Sequence, residues 1–226
     1  MFVGLWLNLT ALCIAGESSP TGEGADRFPT LTSLAQISDV PEGERREEHR
    51  VDIEITSLYY DPFWKLLWGN DGGANMYIAL ESASPSLKSG QRFRVQGRMV
   101  PEKGLRLRDA KITVLDKNAV IPVLSAKGRI EDVDRLNAHL ATIEGYVNRQ
   151  AEIDPTHLLL ELDVEGSHVA ARVLIGTDNP VPQVEGAFVR MKALYSGEAQ
   201  PGTTTPKIDL WVFKRARHRN HRLAGS

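Results

Sequence analysis

Between Val51 and Ile78 the chain reads VDIEITSLYYDPFWKLLWGNDGGANMYI, and this stretch leaves few folds open. It contains Asn70-Asp71-Gly72-Gly73, the strongest turn signal in the sequence, because these residues accept positive φ at low cost. Upstream, Ile53, Ile55 and Leu58 alternate with polar residues, the period of a half-buried strand. Tyr60-Asp61-Pro62 stops that strand, since Pro62 fixes its own φ and biases Asp61 away from helix. The pattern predicts a second strand over Phe63–Trp68 and a third over Met76–Leu80, making a three-stranded meander.

Further strands follow. Ser82–Gly90 is a connection. Phe93, Val95 and Gly97 then alternate with Arg92, Arg94, Gln96 and Arg98, which predicts a fourth strand. Lys103-Gly104 turns the chain into a fifth, Leu105–Leu115, with Leu105, Leu107, Ile112 and Val114 inward and a bulge at Asp109-Ala110 where the phase shifts. Ahead of the meander, Thr30–Ile37 predicts a short helix capped at Thr30 or Thr32, with Leu31, Leu34 and Ile37 on one face. The charged run Pro41–Arg50 reads as a solvated helical turn.

The chain then repeats itself. Ser89–Gln96 lines up with Glu185–Lys192, Val51–Tyr60 with Leu140–Arg149, and Ile112–Leu115 with Ile208–Val212. A period of roughly 90 residues is far too long for a solenoid and means two copies of one domain. Ile130, Val133 and Leu136 predict a short helix within Ser125–Asn137, and a new strand series opens at His139–Val147. Five strands per copy with short connecting helices predict a mainly all-β protein of two tandem OB-like barrels, although a sandwich has the same strand count. The expected bounds are a signal peptide at 1–16, a linker with a short helix at 17–47, barrels at 48–118 and 119–213, and a basic tail at 214–226. The second copy has Asp154-Pro155 but no tryptophan after it.

Charge and cysteine content exclude more than they include. The net charge is −2, with Lys214, Arg215, Arg217, Arg219 and Arg222 crowded into the tail, where they could touch anionic surfaces. A single cysteine, Cys13, rules out an internal disulfide framework and a cysteine-based zinc site. Phe2–Gly16 is apolar and about the length of a signal-peptide core, with Cys13 and Ala15 as the small residues before cleavage, but no Lys or Arg precedes it. The expectation is export to the periplasm or another extracytoplasmic space.

The residues Tyr60, Asp61, Pro62, Trp64, Leu66, Leu67, Trp68, Asp71 and Tyr77 resemble a pattern in the extracytoplasmic regions of a group of bacterial sensor histidine kinases. Those regions look like tandem OB-type barrels. The chain departs from the pattern at Gly69, where the family prefers a β-branched residue, at Asn70, usually Gln, and at Asn75, usually Gly. The resemblance weakens toward residue 213 and includes no kinase core. It implies a non-catalytic ligand-sensing input module that binds a small ligand or an envelope protein and needs no cofactor.

The ligand-binding candidates are Tyr60, Asp61, Trp64, Trp68, Asn70, Asp71 and Tyr77, an aromatic wall with polar contacts. The plainer reading makes Trp64 and Trp68 core, four apart on one strand face, and the aspartates turn-formers. A second functional class is single-stranded nucleic-acid binding, with bases stacked on aromatics beside Arg92, Arg94, Arg98, Arg106 and Arg108. Those arginines equally suit the solvated side of a sheet. A third class is a structural envelope protein. No phosphate loop, serine elbow or paired metal-binding histidines point to an enzyme, and His139, His157 and His168 each stand alone.

Overall fold

The computed structural model describes residues 27–80, 87–103, 106–116, 119–177, 181–202 and 205–213. The expected signal peptide and basic tail, most of the Ser82–Gly90 connection, Gly104 and Leu105 lie outside the described residues.

The protein is mainly β and forms two barrels. After a short helix α1 (Leu34–Ser38), the first barrel comprises β1 (His49–Asp61), β2 (Leu66–Asn70), β3 (Asn75–Leu80), β4 (Arg92–Met99) and β5 (Arg106–Asp116). It closes in the order β1-β2-β3-β5-β4. A short strand β6 (Leu124–Ser125) and helix α2 (Val133–Leu136) lead into β7 (Leu140–Asp154), β8 (His157–Val164), β9 (Ser167–Leu174), β10 (Phe188–Glu198) and β11 (Lys207–Phe213). The order β10-β11-β9-β8-β7 repeats the first ring, and β10 pairs back onto β7 to close it. In both copies the long first strand bends across the barrel. The early half of β1 pairs with β4 and its later half with β2, while β7 divides itself likewise between β10 and β8.

Each barrel buries its own apolar core. Ile53, Ile55, Leu67, Phe93 and Val95 fill the first, and Ile143, Leu158, Leu160, Met191 and Leu210 the second. Full burial of side chains of this size stabilises by about 1.5–3 kcal/mol each. Leu31, Leu34, Ile37 and Val40, within the expected linker, pack into the first core. Leu31 also forms a parallel bridge with Val51, and Leu124 of β6 pairs in parallel with Ala141, so the repeat includes the lead-in to each barrel.

Several expectations shift. The second strand starts at Leu66, not Phe63. Residues 62–65 turn instead, because the Asp61 carboxylate accepts the backbone N–H groups of Phe63 and Trp64 at 2.9 and 3.1 Å. Trp64 and Trp68 therefore do not share a strand face. The cap of α1 is Ser33, which accepts from the Gln36 N–H, rather than Thr30 or Thr32. The second helix shrinks to one turn, capped by Asp132, because Ser125 joins β6. The β5 bulge is where the phase shift put it, opposite Gln96–Arg98, with Asp109 at φ 51°. Beyond it Ile112 and Val114 are only half-buried, because β3 covers β5 only at Arg106 and Leu107.

The repeat is correct strand by strand but its register needs correcting. Ile53 lies opposite Val95 and Ile143 opposite Met191, so Ile53 matches Ile143 and the first-strand alignment is one residue out. A one-residue slip exchanges inner and outer faces. Ile112 and Ile208 are not equivalent either, since one faces Val95 and the other Gly197.

Candidate functional site at the junction of the barrels

Two Asp-Pro turns meet where the barrels join. Asp61-Pro62-Phe63-Trp64 links β1 to β2, and Asp154-Pro155-Thr156-His157 links β7 to β8. In each, the aspartate accepts the backbone N–H two residues on, from Phe63 at 2.9 Å and from Thr156 at 2.7 Å. This Asx geometry holds the carboxylate at the mouth of the turn. The ring three residues after each aspartate then crosses to the other barrel. His157 Nε2 lies 2.6 Å from Asp61 Oδ2, and Trp64 Nε1 donates to Asp154 Oδ2 at 2.8 Å. The crossing rings stack at 3.8 Å with their planes 16° apart.

The centre of this cluster is buried, while Trp64 and Asp154 at its edge are half-buried. The Asp61 and His157 side chains are fully buried. His157 Nδ1 faces Asp154 at 3.0 Å, so the imidazole sits between two carboxylates. Thr156 Oγ1 lies 2.7 Å from Asp154 Oδ1 and 2.8 Å from His157 Nδ1. Burial pushes the Asp154 carboxyl up, but hydrogen bonds from Thr156, His157 and Trp64 outweigh it and hold the group well below the usual carboxylate range. Burial and the neighbouring Asp61 charge push the Tyr59 hydroxyl up.

An apolar seam continues the junction. Leu58 and Tyr59 of β1 pack against Leu140 and Leu194 of the second barrel, with Trp68, Trp211 and Phe213 at the margins. Trp68 lies opposite Tyr77 across β2 and β3, with ring centroids 5.5 Å apart, and Tyr77 is exposed. Burial raises the Tyr77 hydroxyl, opposed by the nearby Arg106 charge. Tyr60 points the other way, into the first core.

At the far end of β2, the Asn70–Asn75 hairpin turn forms one wall of an open cleft of about 580 Å3. The residues from Val133 to His139 of the second barrel contribute to the opposite wall. Asn70 Nδ2 donates to Asn75 Oδ1 at 2.6 Å, and Asn70 Oδ1 accepts the Gly72 N–H at 3.0 Å. Asp71 ties the turn and accepts from the Gly73, Ala74 and Leu34 N–H groups at 2.9, 2.8 and 2.7 Å. Burial opposes ionisation of Asp71, but these donors win and lower its pKa. Asp134 and His139 add polar groups from the second barrel.

The structure thus divides the predicted ligand residues. Asp61 and Trp64 join the barrels, Tyr60 is core, Trp68 packs at the margin of the seam, Tyr77 is exposed, and only Asn70 with its turn reaches the cleft. His157 was missed as a junction residue. Its signal was the Asp-Pro-x-ring spacing of the first turn, repeated with histidine in place of tryptophan. Arg92, Arg94, Arg98 and Arg108 of the sheet face are engaged locally, while Arg106 lies near Tyr77. Arg92 pairs with Glu54, Arg94 with Asp52 at 2.6 Å, and Arg98 with Glu48 and Asp109 at 3.3 and 3.1 Å. Arg108 reaches Glu48 at 4.0 Å. Among the described residues no three His, Cys, Asp or Glu side chains gather into a metal site, and no helix is long and apolar enough to cross a membrane.

No protein-family model matches the chain, and no curated protein sequence matches it. Among solved structures it is similar to a murine DNA-binding protein bound with double-stranded DNA, at 10% identity and a TM-score of 0.34, over 74% of this chain and 93% of that one. A chain from a study of structural mimicry for functional antagonism aligns at 7% identity and a TM-score of 0.35, over 78% and 96% of the two chains. Another, from work on abrogation of activation of pro-inflammatory cytokines, aligns at 9% identity and 0.34, over 70% and 87%.

Proposed function

We propose that the chain is a non-catalytic, extracytoplasmic sensing module that binds a small polar ligand between its two barrels. The observation that carries this reading is the placement of the cleft, with one wall on each barrel. A ligand there touches both bodies and biases their relative position, which is what an input module must do. The lining suits a small molecule rich in hydroxyl or amide groups, since Asn75, Asp134 and His139 offer both donors and acceptors. The resemblance of Asp61–Tyr77 to sensor-kinase input regions supports the same reading.

The test is a thermal-shift panel of amino acids, small amides and sugars on the full chain, followed by calorimetry. A binder is expected whose stabilisation disappears in both Asn75→Ala and Asp134→Ala. A panel without a binder, or a binder indifferent to both substitutions, overturns the proposal.

Single-stranded nucleic-acid binding is the second reading, favoured by the Trp68–Tyr77 pair on β2 and β3. Against it stand the arginine pairings to Glu54, Asp52, Glu48 and Asp109, which balance the positive charge that a phosphate backbone would need.

A further inference from the structure

We infer that the junction is a proton-dependent lock: His157 in its doubly protonated form fastens the barrels together, and loss of one ring proton frees them to rock about the apolar seam. Both ring nitrogens face carboxylate oxygens, Nε2 at 2.6 Å from Asp61 and Nδ1 at 3.0 Å from Asp154. A carboxylate only accepts, so both contacts are hydrogen bonds only when both nitrogens carry protons. A neutral ring turns a lone pair toward one of the two acids: toward Asp61, which is fully buried, or toward Asp154, beside which the Thr156 hydroxyl lies 2.8 Å from Nδ1.

The groups facing His157 come from each element packed against it. The first turn supplies Asp61, the stacked Trp64 ring and the edge of Phe63 at 6.3 Å. The second turn supplies Asp154 and Thr156, and Tyr59 adjoins Asp61. Arg172 lies over the Trp211 ring, which meets Trp64 edge-on, and pairs with Asp209; Lys65 follows Trp64 in the first turn. The surroundings of the ring are therefore anionic and aromatic.

Geometry links this lock to the cleft. The Asp61–Trp64 turn enters β2 at Leu66, the Asn70 turn leaves it, and Trp68 lies between them against the seam. Rocking of the barrels about the seam changes the spacing of the cleft walls that Asn70 and His139 line. The inference needs no ligand in the cleft.

The experiment is nitrogen-detected NMR of the full chain with ring-labelled histidine, from about pH 5 to about pH 10, bracketing the ordinary histidine value of about 6.5. Expected are two His157 ring N–H signals at the acid end and loss of one in a single step. In the same step the Trp64 indole and the Asn75 and Asn137 side-chain amides shift, and residual dipolar couplings report a changed angle between the barrels. Asp61→Asn moves the step to lower pH. A single tautomer at every pH, or a ring titration that leaves the couplings unchanged, overturns the lock. Should Asp61→Asn fail to fold, the titration of the unmodified chain decides alone.

Discussion

Trp64 and His157 hold the same place in their respective turns, three residues after an aspartate, and each reaches across to bond the aspartate of the other. Duplication supplied the two matching turns, and their exchange of partners supplies the joint. The two rings lie flat on each other at 3.8 Å, so the joint has shape as well as charge.

Trp64→Phe keeps the stack and removes the indole N–H. It should cost about 1 kcal/mol, the usual net worth of a hydrogen bond. Combined with Asp154→Ala in a double-mutant cycle by urea denaturation, the pair should show a coupling of at least about 0.5 kcal/mol. Additive losses would mean that the indole bond contributes nothing.

Gly69→Val restores the residue type that the resembled family prefers, yet it should destabilise by about 1–3 kcal/mol through overpacking. A side chain at Gly69 collides with the methyl groups of Ile55 inside the first barrel. Ile55→Ala in the same chain should recover much of the loss. If thermal unfolding shows Gly69→Val unchanged, the barrel interior is looser than its packing indicates.

Acid should loosen the protein through two carboxylates. Asp154 and Asp71 are both depressed by the donors around them. A depressed acid stabilises the fold fully above its unfolded value of about 3.9, and that stabilisation fades as pH falls toward the folded value. Asp154→Asn should therefore flatten the acid limb of the stability curve below about pH 4. Urea midpoints across that range provide the measurement, and an unaltered acid limb contradicts the assignment.

Arg94→Gln, on the outer sheet face, should change stability by less than about 1 kcal/mol, as exposed ion pairs do. It should also leave oligonucleotide affinity at low salt unaltered. A marked drop in affinity, steepest at low salt, would revive the nucleic-acid reading.

Much of this architecture was legible in the chain. Alternation in β1 and β4, the Asn-Asp-Gly-Gly turn and the duplication lead to two OB-like barrels, because each signal is local and periodic. The start of β2 was not, since the apolar run Phe63–Trp68 resembles a strand until the Asp61 side chain takes the N–H groups that a strand would offer. His157 stayed hidden because its partner Asp61 lies 96 residues away, and nothing periodic connects them. The arginine face was legible as a pattern, but its pairing with Asp52 and Glu54 depends on strand order.

The last five residues of β1, from Ser57 to Asp61, are buried without a break. One side meets the first core and the other meets the second barrel. During synthesis the first barrel leaves the ribosome well before Leu194 exists to cover Leu58 and Tyr59. For the time needed to translate from Asp116 to Leu194, the newborn half-protein carries an uncovered greasy wall beside a lone acid. Quality control in the cell therefore meets this protein first as an unfinished surface, and a truncated transcript would leave it in that condition.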